Sequence, residues 1–208
     1  MQFKSILARH VCPRMAVAFV CGVLSFWGPA HADDMTVRVA GQIPAMRWDA
    51  RPEASTWTSQ TLAVVAAHDA QLAATVPADI ATFCPHYPKA SLTERRAFWV
   101  ALLSATAKHE SGFNPKAVGG GGRYIGLMQI SPSTARNSGC QADTASDLKD
   151  GTRNLECAIK VFAPHVAADG MVAGGGNRGI GRDWGPYRSA KKRGDIAGWT
   201  ARQSYCQV

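Results

Sequence analysis

Signatures of metal and phosphate chemistry are missing from this chain. No CxxC or HxxxH spacing accompanies its cysteines, which argues against zinc. No GxxxxGK(S/T) occurs and no GxGxxG follows a strand, so a phosphate loop is excluded. Long internal repeats are also lacking. The N-terminal apolar run from Met15 to Gly28 has 14 residues, against the roughly 20 that a membrane span needs. Acidic residues are scarce, 15 Asp and Glu against 23 Lys and Arg in 208 residues. The stretch AKHESGFNPKAVGGGGRYIGLMQISPSTA, residues 107 to 135, contains one carboxylate, Glu110.

What is present begins with an export signal. Lys4, Arg9 and Arg14 precede the apolar run, and Gly28 and Pro29 follow it, then Ala30, His31 and Ala32. That order of basic, apolar and small-x-small residues reads as a secretory signal over 1–32, cut near Ala32. An uncleaved anchor is the alternative. Without residues 1–32 the balance is 23 − 3 = 20 basic against 15 acidic residues. A basic exported protein suits an anionic polymer: nucleic acid, acidic lipid or the peptide carboxylates of cell wall. Cys12 and Cys21 leave with the signal, and Cys84, Cys140, Cys157 and Cys206 remain. An even count in an exported chain implies two disulfides, with three connectivities open. The expected pairs are Cys140 with Cys157, close in sequence, and Cys84 with Cys206, clipping the C-terminus to the body.

Residues 33–55 mix Pro, Gly and charge and read as a loosely ordered arm, with TVRVAGQI a candidate edge strand. Residues 56–208 form one domain. Ala and Leu enrichment predicts a helix over 58–75. Ser91 and Glu94 fit a capping box opening a second helix, which Gly112 and Pro115 close. At 3.6 residues per turn, Trp99, Leu102, Leu103, Thr106 and Glu110 share one face, and Ala97, Ala101 and Lys108 lie opposite. Glu110 therefore sits in the last turn, where the helix's negative end and partial burial both raise a carboxyl's pKa. A plain surface pairing with Lys108 or Arg123 is the alternative reading. A glycine loop, a short β-type run and the helix start PSTARN follow. A later helix carries Leu155, Ile159 and Phe162 on one side and is expected to be disturbed at Pro164. The tail is rich in Arg and Lys, with Trp184, Tyr187 and Trp199 among them, and suits bases or sugar rings.

The motifs resemble the catalytic domain of the soluble lytic transglycosylases, a branch of the lysozyme superfamily. The pattern ES-x-F-N-P-x-A is met by Glu110-Ser111-Gly112-Phe113-Asn114-Pro115-Lys116-Ala117. The pattern G-L-M-Q-I-x-P-x-T-A is met by Gly126 to Ala135, and Asn154-Leu155 supplies the later pair. The resemblance is strong over about residues 90 to 170 and implies a mainly α, lysozyme-like domain with a small β-hairpin beside an active-site cleft. Two departures stand out. Gly119 occupies a position where the family often has serine, and the A-Y-N-A-G motif with its tyrosine is replaced by RDWGPYR. Tyr187 or Trp184 is expected to substitute, Tyr187 the better because a phenol can hydrogen-bond a carboxyl group.

The resemblance implies that Glu110 is the catalytic residue, general acid and then base, in cleaving the MurNAc–GlcNAc β-1,4 bond with a 1,6-anhydromuramoyl product. It implies substrate contacts at Gln129 and Met128, with Ser111 and Asn114 shaping the turn and Asn154 supporting the site. Met128 and Ile130 read equally as core. No cofactor or metal is expected. Most glycosidases need a second carboxylate; Asp143, Asp147, Asp150 and Glu156 sit at capping and surface positions, and Asp183 stays open. The expected partner is peptidoglycan, with cell-wall or secretion machinery a further candidate, no nucleic acid, and no membrane insertion once the signal is removed. A muramidase on the same fold and a non-catalytic wall-binding or secretion-assembly protein are the competing readings.

Overall fold

The computed structural model describes residues 43–207. The expected signal peptide and most of the TVRVAGQI stretch lie outside the described residues. Helices are α1 (Ala54–Ala67), α2 (Ile80–Phe83), α3 (Leu92–Glu110), α4 (Pro132–Asn137), α5 (Gly151–Asp169) and α6 (Ala190–Ala201). Strands β1 (Val118–Gly119) and β2 (Tyr124–Ile125) pair antiparallel, with Val118 opposite Ile125 and Gly119 opposite Tyr124. The fold is mainly α and lysozyme-like, with the small hairpin that was expected.

Helix α3 is the hub. Ser91 caps it: its Oγ accepts from the Glu94 amide, and Glu94 Oε2 accepts from the Ser91 amide at 2.7 Å. Every residue from Ala97 to Ala107 is buried. The two-sided reading of this helix is therefore corrected: Ala97 and Ala101 are as buried as Trp99 and Leu103. The reason is position, because α1 and α6 both pack on α3, and small alanines let them approach. An aromatic core runs outward from it. Trp99 stacks on Phe162 of α5, and its Nε1 donates to the Tyr87 hydroxyl at 2.9 Å. Phe162 in turn meets Trp184 edge-on at 6.2 Å between centroids.

Three boundaries differ from expectation. Helix α1 runs from Ala54 to Ala67 rather than over 58–75. Past it, Asp69 is held by the Arg96 guanidinium, and its carbonyl accepts from Ala74. Those contacts fold residues 68–75 into turns. Helix α5 passes through Pro164 and ends at Gly170, which adopts the left-handed conformation glycine tolerates. Proline there only removes the amide that would bond the Lys160 carbonyl. Of the arm expected over 33–55, the described part is pinned to the body. Trp48 is fully buried, its Nε1 donating to Thr58 Oγ1 at 2.9 Å, and the Arg47 amide donates to Ser104 Oγ at 3.0 Å.

Both expected disulfides are present, Cys84–Cys206 and Cys140–Cys157. They fit an oxidising compartment outside the cytoplasm. Among the described residues, no helix is long and apolar enough to cross a membrane.

Candidate active site

Glu110 is the last residue of α3. Beyond it Gly112 and Phe113 both take positive φ, 59° and 66°. A left-handed phenylalanine is costly by about 1 kcal/mol. Packing of Phe113 against the core holds it there. Asn114 Oδ1 accepts from the Lys116 amide at 2.9 Å, and Ser111 Oγ donates back to the Ala107 carbonyl at 3.3 Å. The chain thus turns sharply away and leaves the Glu110 carboxyl at the helix end, partly buried.

Burial pushes that carboxyl from its ordinary 4.5 up to about 7, while the Lys192 ammonium on α6 pulls the other way. Lys192, rather than Lys108 or Arg123, is the cation that acts on it. One turn back on α3, Thr106 Oγ1 lies 2.8 Å from the Tyr187 hydroxyl. Tyr187 is wholly buried. Burial raises its phenol above the ordinary range, and the Glu110 carboxylate adds to the rise. Beside Glu110, His109 Nε2 lies 2.7 Å from Asp195 Oδ2, and Arg47 grips the same carboxylate at 2.7 and 3.0 Å. That pairing holds Asp195 well below the usual carboxylate range.

The loop from Gly126 to Ile130 forms a second element of the candidate site. The Ile125 and Ile130 amides and carbonyls exchange two bonds of 3.0 Å, closing a tight turn. Asn154, fully buried on α5, braces it: Oδ1 accepts from the Met128 amide at 2.8 Å. Its Nδ2 donates to the Ile125 and Leu148 carbonyls at 3.0 and 2.9 Å. Gly126 must be glycine here, because a Cβ would lie 2.2 Å from the Leu148 carbonyl and 2.3 Å from Asn154 Nδ2. Leu127, Met128 and Ile130 point into the core. Gln129 alone is partly exposed, on a left-handed backbone with φ 48°. Its Nε2 donates to the Gly126 and Ala117 carbonyls at 3.0 and 3.3 Å.

The structure separates the two tail aromatics. Tyr187 reaches α3 beside Glu110, whereas Trp184 is buried behind the loop with Nε1 donating to the Met128 carbonyl at 2.8 Å. Gly119 lies against Gln129, and a Cβ on it would meet Gln129 Oε1 at 2.3 Å. Asp183 bonds His165 Nδ1 at 2.7 Å, in a depression of about 440 Å³ that Lys160 and Pro164 also line. Asp150 caps α5, Asp147 pairs with Arg153, and Glu156 with Lys160. Among the described residues, no carboxylate contributes to the shift of Glu110. Sequence reasoning missed Thr106 as a partner of Tyr187, and missed His109, Lys192 and Asp195. The His109–Asp195 contact joins residues 86 positions apart, and no local motif marks any of these residues.

The family profile described as "Transglycosylase SLT domain" matches residues 89–196, more than half of the chain. This protein belongs to the SLT transglycosylase family. Membership carries a lytic-transglycosylase-type, peptidoglycan-cleaving function in general terms. Two solved structures of Bd0314 DslA, the wild type in its form 2 and a glutamate-to-glutamine mutant, are each 26% identical to this SLT protein with a TM-score of 0.72. Each match covers 80% of this chain and 100% of the other. A second glutamate mutant of the same protein, at 24% identity and a TM-score of 0.71, shares the fold.

Proposed function

We propose that this protein is a peptidoglycan lytic transglycosylase in which Glu110 acts alone, first as acid and then as base. The observation that carries the reading is the Glu110 carboxyl, pushed to about 7 by burial with no second carboxylate acting on it among the described residues. Cleaving a glycosidic bond requires a proton for the leaving oxygen, and a carboxyl so placed keeps one near neutral pH. Glu110 protonates the oxygen between N-acetylmuramic acid and N-acetylglucosamine, and the C1–O bond breaks. The substrate's own acetamide stabilises the cationic C1, as in substrate-assisted glycosidases. Ionised Glu110 then takes the proton of the 6-hydroxyl as O6 bonds to C1. The products are a 1,6-anhydromuramoyl end and a free N-acetylglucosamine hydroxyl, with Glu110 protonated again. No water is consumed.

Supporting roles follow from position. Gln129, the partly exposed side chain among buried neighbours, contacts the sugar acetamide. Asn154 and Trp184 hold the Met128 backbone from behind, and Tyr187, bonded to Thr106 one turn from Glu110, takes the part of the family's tyrosine. We place the activity outside the cytoplasm, with residues 1–32 as the export signal.

The test is mass spectrometry of muropeptides released from purified sacculi, with Glu110→Gln as control. Anhydro products from the wild type alone support the proposal. Reducing-end products would make the protein a muramidase, and no release by folded wild type would favour a binding or assembly role.

A further inference from the structure

Two cross-links determine where the chain between 187 and 195 runs. Tyr187 meets Thr106 at 2.8 Å and Asp195 meets His109 at 2.7 Å, so this segment tracks along the C-terminal end of α3. Lys192 lies one turn before Asp195 on α6 and shares its face. On this segment beside the end of α3, Lys192 is near enough for its charge to act on the Glu110 carboxyl.

The charges around this point are unequal. Asp195 is committed to Arg47 and His109. Tyr187 is buried and neutral. Lys108 of α3 and Lys191 and Lys192 of α6 are exposed, and the first turn of α6 contains no acid. Among the described residues Lys192 enters no ion pair. Helix stability does not explain it either. A cation in a helix's first turn opposes the macrodipole, which favours anions there. An exposed cation outside any ion pair among the described residues, beside a partly buried acid, is placed to meet an anion that arrives with the substrate.

We propose that Lys192 is an anion subsite beside Glu110 that takes a carboxylate of the peptide stem on the muramoyl sugar being cleaved. Its consequence for catalysis rests on Glu110 being the acid. While Lys192 is free, its field favours loss of the Glu110 proton. A substrate carboxylate that pairs with Lys192 cancels that field, so the acid keeps its proton when an anionic strand is bound. Strands whose carboxylates are masked lose both the ion pair and this effect.

The test compares soluble peptide-bearing glycan strands with the same strands after carbodiimide and ammonia have converted their carboxylates to amides. Wild type, Lys192→Gln and Lys192→Arg are assayed for kcat/KM across pH. Binding to Glu110→Gln, with and without Lys192→Gln, is measured by calorimetry, which needs no turnover. The wild type is expected to favour the carboxylate strands by about five- to tenfold. Lys192→Arg keeps that preference and Lys192→Gln abolishes it, in binding as in kcat/KM. The alkaline limb of kcat/KM moves upward by about half a pH unit in Lys192→Gln, which a merely structural role would not produce. An undiminished preference in Lys192→Gln would overturn the subsite even if cleavage is normal. A binding preference that depends on Lys192, with no cleavage by wild type, would support the subsite and sink the transglycosylase reading instead.

Discussion

The Tyr187 hydroxyl lies 2.8 Å from Thr106 Oγ1, one helical turn before Glu110 on α3. Tyr187 comes from the short turn Gly185–Arg188 and is wholly buried, with its phenol raised by burial and by the nearby Glu110 carboxylate. A phenol held neutral in this way orients and hydrogen-bonds but carries no charge. Tyr187→Phe leaves Thr106 Oγ1 its bond to the Leu102 carbonyl at 2.7 Å. The expected loss of stability is therefore small, about 1 kcal/mol. Activity should fall further than that, by about tenfold or more, if the phenol steadies the acid. Denaturant melts and muropeptide release on the same preparation separate the two effects.

Glu110 makes stability depend on pH in a known direction. Its carboxyl is raised in the folded state from 4.5 to about 7. The stability it contributes is full below 4.5 and is lost as pH rises through about 7. Above that, the ionised carboxylate costs about 2 kcal/mol, allowing for the water that still reaches it. Glu110→Gln should remove this dependence. Thermal melts should show the variant about 5 °C more stable than wild type at pH 8.5 and nearly equal to it at pH 4. Equal melting temperatures at both pH values would refute the buried-acid description.

Asn154 holds the Gly126–Ile130 loop from inside the core. Asn154→Ala strands the Met128 amide and the Leu148 carbonyl, removes one of the two bonds to the Ile125 carbonyl, and leaves a cavity. The expected cost is about 3 kcal/mol, measured by urea unfolding. Activity should fall even where the variant remains folded, because the loop that carries Gln129 loses its brace.

Gly119 offers a milder test of the hairpin. In Gly119→Ser the new Cβ would meet Gln129 Oε1 at 2.3 Å, so the amide must swing away. The contact is with the far end of a flexible side chain, and the fold should survive with a loss of about 1 kcal/mol. Strand binding should change, since the Gln129 amide would no longer rest on the Ala117 and Gly126 carbonyls. Binding assays with the Glu110→Gln background read this directly.

Much of the site was legible because its signals are local. The Ser91–Glu94 box, the helix ending at Glu110 and the start of α4 at Pro132 depend on residues within a turn of one another. The last-turn position of Glu110 pointed to a raised carboxyl, although the two-sided reading of its helix did not hold. The lone carboxylate among residues 107 to 135 was plain in the amino-acid order. Tertiary structure alone decided the rest. It surrounded α3 on all sides, so no apolar stripe marked its true burial. It sent Trp184 behind the loop and Tyr187 to Thr106, 81 residues away, although the two aromatics are close in sequence. It joined Arg47 to Asp195 across 148 residues and carried Lys192 to Glu110. Local propensity reads the energy of one turn. The charges that govern an acid are set by packing between distant segments, and no short-range pattern encodes that.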